Sequence, residues 1–186
     1  MGTRGAYGFH KNGVDKITYN QYDSYPSYLG KNIENFIRST SIEEMNKIFD
    51  NIQLVNEEDK PTVEQLNHCL GIGTINLDVS RQSLDDWYCL LRKAQGDLNW
   101  YKKGLRYMID NADFIKDSLF CEWAYVINLD NNTFEVYEGF QKRPHDNRYK
   151  ILYSDNGYYN CKLIREYPLD DIPLNWVEEI ESAETV

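Results

Sequence analysis

Cysteines at metal-ligand spacing are missing from this sequence. Cys69, Cys89, Cys121 and Cys161 stand far apart with no CxxC pair, which argues against zinc ribbons and redox motifs. The histidines, His10, His68 and His145, are equally scattered. The one adjacent ligand couple, His68-Cys69, is a poor chelate, because neighbouring residues on a helix point in different directions. Phosphate-loop signatures are lacking too. Gly71-Ile72-Gly73-Thr74 has neither the third glycine of a dinucleotide fingerprint nor the Gly-Lys-Ser/Thr ending of a P-loop, and reads as a helix stop. Neither a metal nor a cofactor is expected. No apolar run approaches the length of a membrane span, and the start has no signal-peptide core, so the expectation is a cytoplasmic protein with reduced thiols and no membrane partner.

Positive charge is also scarce. Lys and Arg number 20 against 30 Asp and Glu, a formal charge of −10. That balance argues against a nucleic-acid partner, whose phosphates call for clustered cations. After Arg165 there is no base at all, while Glu178, Glu179, Glu181 and Glu184 follow. This acidic tail reads as a solvated face, with docking of a basic partner as the alternative.

What is present in excess is tyrosine, 15 of 186 residues, in a chain that is 41% hydrophobic and 14% aromatic. Each ring offers apolar area with a polar tip, which suits half-buried sheets and binding surfaces. The length fits one domain over residues 1–186, with a core of its own.

The periodicities predict an α+β fold. An N-terminal β-hairpin covers residues 3–10 and 14–20, turned at Asn12-Gly13, a pair suited to positive φ at both central positions. Gly5 and Gly8 inside its first strand predict a bulge or a close backbone approach. A central block of helices follows, over 29–38, from Ser41 with Glu44 three residues on, from Thr62 with Gln65, and from Ser83 through Ile109 with a break at Gly96. From Glu122 the pattern turns to strands. One hairpin passes through Asp130-Asn131-Asn132, and a second, with strands at 149–153 and 158–165, turns at Ser154–Gly157. A short helix around Trp176 ends the chain. Strands, helices, strands and a helix in that order contain no repeating βαβ unit.

One stretch gathers chemistry. Residues 1–30 carry three bases, Arg4, Lys11 and Lys16, against two acids, Asp15 and Asp23, a local exception in an acidic chain. Arg4 stands at a strand start, Asn20 and Asp23 lie just past the second strand, and Tyr25 precedes Pro26, which biases it to extended geometry. An arginine fork suits a carboxylate or phosphate; Asn20 and Asp23 can orient a hydroxyl, amide or amine. These four are the candidate ligand-binding residues, and no catalytic residue is assigned. A purely structural alternative pairs Arg4 with Asp23, or has Asp23 cap its own turn.

The opening Met1-Gly2-Thr3-Arg4-Gly5, with Tyr19, Asp23-Ser24-Tyr25-Pro26 and Gly30, resembles a largely uncharacterised family from phages, bacteria and some fungi. Its usual form is MGTRG followed by YxxxD(G/S)YPxGxG. The stretches Glu122–Asp130 and Phe134–Phe140 are similar to that family as well, while Tyr28 stands where a glycine is common. The resemblance marks residues and carries no activity. A phage or mobile-element origin implies a binding protein inside a host cell that inhibits a host or host-defence system by holding a small molecule or a host protein. In outline the chain is also similar to N-terminal-nucleophile amide and ester hydrolases. Gly2 cannot be such a nucleophile, however, and Thr3 would need both preceding residues removed.

Overall fold

The computed structural model describes residues 2–184. The chain begins with strands β1 (Gly5–Lys11) and β2 (Val14–Asn20), joined by Asn12 and Gly13 at φ 52° and 74°, the left-handed pair that the sequence predicts. A single π-type turn at Pro26–Gly30 leads into α1 (Lys31–Arg38), then α2 (Ile42–Asn51), β3 (Gln53–Val55) and α3 (Val63–Ile72). Two one-turn helices follow, α4 (Trp87–Leu90) and α5 (Asn99–Lys102), and then β4 (Tyr107–Ile109). Strands β5 (Trp123–Asn128), β6 (Thr133–Glu138) and β7 (Lys162–Pro168) precede the last helix, α6 (Trp176–Glu184).

The main sheet has the order β2-β1-β5-β6-β7. Its hairpins are antiparallel, but β1 and β5 run parallel, with Gly5 opposite Trp123 and His10 opposite Asn128. The α+β expectation holds, with the two ends of the chain joined at the centre of one sheet. Gly5 to His10 and Trp123 to Asn128 are buried throughout. Strand alternation then sorts the side chains. Tyr7, Phe9, Trp123, Tyr125, Ile127 and Phe134 face the helices, whereas Ala6, Ala124, Val126 and Tyr137 face a smaller core closed by Ile115, Tyr149 and Cys161. β1 pairs with β2 in unbroken register, so no bulge forms at Gly5 or Gly8, and close approach is the part of that expectation that holds.

Four sequence-based expectations are corrected. The helical region predicted from Ser83 through Ile109 does break at Gly96, at φ 85°, but only the single turns α4 and α5 form in it, and residues 107–109 pair with β3 as a strand. Residues 149–153 form no strand; Tyr149 turns into the smaller core instead. Ser154–Gly157 is therefore a bend in a loop rather than a hairpin turn, and the strand placed at 158–165 begins only at Lys162. The caps at Ser41 and Thr62 form as expected, the latter as a reciprocal capping box with Gln65. All four cysteines are free and buried.

Glu34 ties α1 to α6 from a buried position on α1. Its carboxylate accepts from the Trp176 indole at 2.7 Å, Lys31 Nζ at 3.0 Å and Arg38 Nε at 2.9 Å. Burial pushes this carboxyl up, but those three donors outweigh it and hold it below the ordinary 4.5. The stabilisation is full above that value and falls away as pH drops through the lowered one. Lys31 and Arg38 are a third or more exposed and can turn to water, whereas the Trp176 N–H cannot. Glu34→Ala therefore loses about 1–3 kcal/mol in urea denaturation at neutral pH, the cost of an orphaned buried donor. Glu34→Gln, which keeps an acceptor, loses less; equal losses for both would locate the stabilisation in the ion pairs.

Candidate functional site

The segment from Asn20 to Gly30 is fastened from below and free above. Ser24 is completely buried: its N–H donates to the Thr3 carbonyl at 3.2 Å, and its carbonyl accepts from the Tyr125 hydroxyl at 2.8 Å. Its Oγ accepts from Asn20 Nδ2 at 2.9 Å, and the same amide donates to the Tyr22 carbonyl at 2.6 Å. Gly5 makes this seat possible. A Cβ there would stand 2.5 Å from the Trp123 carbonyl oxygen and 2.7 Å from Ser24 Cβ. At the other end Gly30 lets the chain pass Trp176, whose ring a Cβ would meet at 2.7 Å. Leu29 N–H closes the segment onto the Asp23 carbonyl at 3.1 Å.

With Asn20, Ser24, Pro26, Leu29 and Gly30 buried, the side chains between them point outward. Tyr22, Tyr25 and Tyr28 are 54%, 48% and 58% exposed. Asp23 sits at φ 55°, an uncommon conformation for a side chain other than Asn, Asp or Gly. Its carboxylate makes no hydrogen bond or ion pair among the described residues, so it neither caps its own turn nor pairs with Arg4.

Facing this turn is the segment Arg92–Asp97, which breaks the run between α4 and α5. Tyr7 of β1 holds it. The Tyr7 hydroxyl accepts from Gly96 N–H at 2.7 Å and donates to the Ala94 carbonyl at 3.4 Å. Burial pushes the phenol well up, so it stays a neutral donor and acceptor. Gln95 reaches back to accept from Gln21 N–H at 2.8 Å. Between the two segments lies an open hollow of about 370 Å³, whose walls include Asn20, Tyr22, Asp23, Tyr28, Arg92 and Asp97. A second hollow of about 400 Å³ adjoins it, lined by Gln21, Tyr22, Val79, Ser80, Tyr88 and Arg92. Tyr22 and Arg92 belong to both and form the ridge between them. Ser80, at φ 51°, lies on the far rim, and behind Tyr88 the buried Asp86 carboxylate accepts from the Tyr88 N–H at 3.0 Å.

Of the four residues singled out in the sequence, Asn20 and Asp23 line the first hollow. Tyr25 does not; its carbonyl accepts from the N–H groups of Tyr28 and Gly30, and its ring points to solvent. Arg4 is elsewhere. Its backbone pairs with Glu122, and its guanidinium lies 5.0 Å over the Phe120 ring, with Nε buried and without an acceptor. Sequence reasoning missed Arg92 and Asp97. The signal available for them was Gln95-Gly96-Asp97, a turn-forming run in the middle of an apolar period. Among the described residues no group of three or more His, Cys, Asp or Glu side chains converges on a metal position, and no helix is long and apolar enough to cross a membrane.

Compared with protein-family models, with curated proteins and with solved structures, the chain matches none.

Gly5→Ala is expected to lower stability by about 1–3 kcal/mol through overpacking against Ser24 and the Trp123 carbonyl. Gly71→Ala, in helix α3 with open space around it, is expected to be neutral or to gain up to about 1 kcal/mol. Thermal or chemical denaturation of the two variants checks the contrast; an unchanged Gly5→Ala would mean that the seat of Ser24 is not tight.

Proposed function

We propose that this chain is a soluble binding protein that captures a small polar molecule in the hollow between the Asn20–Gly30 turn and the Arg92–Asp97 segment. The observation that carries this reading is the Asp23 carboxylate, left without a partner on a backbone tied at both ends. The left-handed φ of Asp23 would be met equally by Asn or Gly, so the carboxylate adds a charged acceptor that the turn itself does not use among the described residues. Three further features support binding. The hollow falls in the size range of ligand pockets, exposed tyrosine rings border it, and its floor needs no rearrangement to form. In the role of an inhibitor of a host system, the protein acts by holding its ligand rather than by converting it. A host protein that docks on Tyr22, Tyr25 and Tyr28 is the second form of the same reading, since aromatic side chains dominate protein contacts.

Hydrolysis by a freed N-terminal Thr3 has less support. Thr3 is 8% exposed, and its carbonyl is spent on Ser24.

Native mass spectrometry of protein purified without denaturation from the cells that make it checks the reading. A small-molecule adduct is expected on the wild type and on Arg4→Ala, and is expected to be lost from Asp23→Asn, which tolerates the left-handed backbone, and from Tyr28→Ala, at unchanged melting temperature. A bare chain from every preparation, or an adduct that survives both cavity variants, contradicts it.

A further inference from the structure

The geometry points to Arg92 as the anchor for an anionic group, making the ligand of this hollow a polyhydroxylated anion of the sugar-phosphate or sugar-acid kind. This rests on the binding reading above and narrows it. Arg92 is half-buried, and its guanidinium lies 6.0 Å from the centroids of both the Tyr22 and Tyr88 rings. Ring faces hold a guanidinium in place while leaving its N–H groups unused, because they supply no acceptor. Among the described residues no carboxylate or carbonyl accepts from Arg92. The contrast lies within the chain. Arg38 is paired with Glu34, and Arg148 forks onto Glu135 with distances of 2.8 and 2.5 Å. In a protein with 30 acidic residues, a half-buried arginine without one, on the ridge shared by two hollows, has its donors free for an outside acceptor.

The rest of the hollow sets the body of the ligand. Carboxylate and phosphate oxygens match the planar fork of arginine. Asp23, on the wall of the same hollow, accepts only, so it selects hydroxyl or ammonium donors and repels a second anion. Tyr22 and Tyr28 offer exposed ring faces against which the C–H face of a sugar ring can lie. Of the four charged residues on the walls of the hollow, Lys31 is paired with Glu34 and Asp97 accepts from Asn99, so one anion at Arg92 and hydroxyls toward Asp23 answer the remaining two at once. A neutral sugar leaves Arg92 unanswered, and a dianion reaching across the hollow meets Asp23.

The test is a titration followed by amide chemical shifts in nitrogen-15-labelled protein, with glucose 6-phosphate, gluconate and glucose as probes. Saturable shifts at Tyr22, Asp23, Gln95 and Gly96 are expected for at least one of the two anions, the stronger of which identifies phosphate or carboxylate as the preferred group. Glucose is expected to bind about tenfold or more weaker, and Arg92→Gln to weaken the anion by a similar factor, the loss of a charge-assisted pair. Arg92→Lys, which keeps the charge without the fork, is expected to fall between them, and the dispersed spectrum of each variant reports that it is folded. Equal binding of glucose and the anions, or undiminished anion binding by Arg92→Gln, overturns the inference and leaves the hollow a binding site. Silence from all three probes on protein that carries a native adduct overturns the inference alone. Silence together with a bare chain overturns the binding reading as well.

Discussion

The burial of Ser24 is the constraint from which the rest of the site follows. A backbone turn has polar groups that must be bonded once water is removed, and Ser24 has all of its own answered by three separate parts of the chain. Thr3 takes its N–H, Tyr125 reaches its carbonyl, and Asn20 reaches its hydroxyl. Two of these partners lead into or belong to the central parallel pair β1 and β5, whose alignment depends on the two ends of the chain meeting. The turn therefore inherits the rigidity of the sheet centre, although it lies at the surface.

That arrangement separates holding from display. Buried Asn20, Ser24, Leu29 and Gly30 fasten the backbone, and the side chains of the intervening Tyr22, Asp23, Tyr25 and Tyr28 make no hydrogen bond among the described residues. The opposite wall works the same way, since the Tyr7 hydroxyl fastens Ala94 and Gly96 and leaves Arg92 and Asp97 on the hollow. Both walls are thus pinned to sheet strands by tyrosine hydroxyls, Tyr7 for one and Tyr125 for the other. A site pinned in this way loses little conformational entropy when a ligand arrives, which favours capture of a small molecule over an induced fit.

The local signals in the sequence were strong where short-range chemistry decides the outcome. Asn12-Gly13 specified its turn, Ser41 and Thr62 specified their caps, and Gly73 specified a helix end at φ 92°. The parallel pairing of β1 with β5 was not legible, because no local pattern distinguishes a strand awaiting a distant parallel partner from the edge of a hairpin. The region from Ser83 to Ile109 misled for a related reason: Leu84, Trp87, Leu91, Leu105 and Met108 keep helical spacing while tertiary contacts with β3 decide the conformation of the last three residues. At the site, Asn20 and Asp23 could be found because they share one turn. Arg92 lies 69 positions beyond Asp23, and only the fold brings it to the same hollow. Arg4 looked eligible by type and proximity, yet its side chain stacks on Phe120, away from that hollow.

Native-state hydrogen exchange resolved residue by residue measures whether this surface turn is held as firmly as the sheet beneath it. The Ser24 and Leu29 amides are expected to exchange as slowly as those of β1 and β5, through global unfolding. Exchange of Ser24 at the rate of an open loop, with β1 still protected, would contradict it.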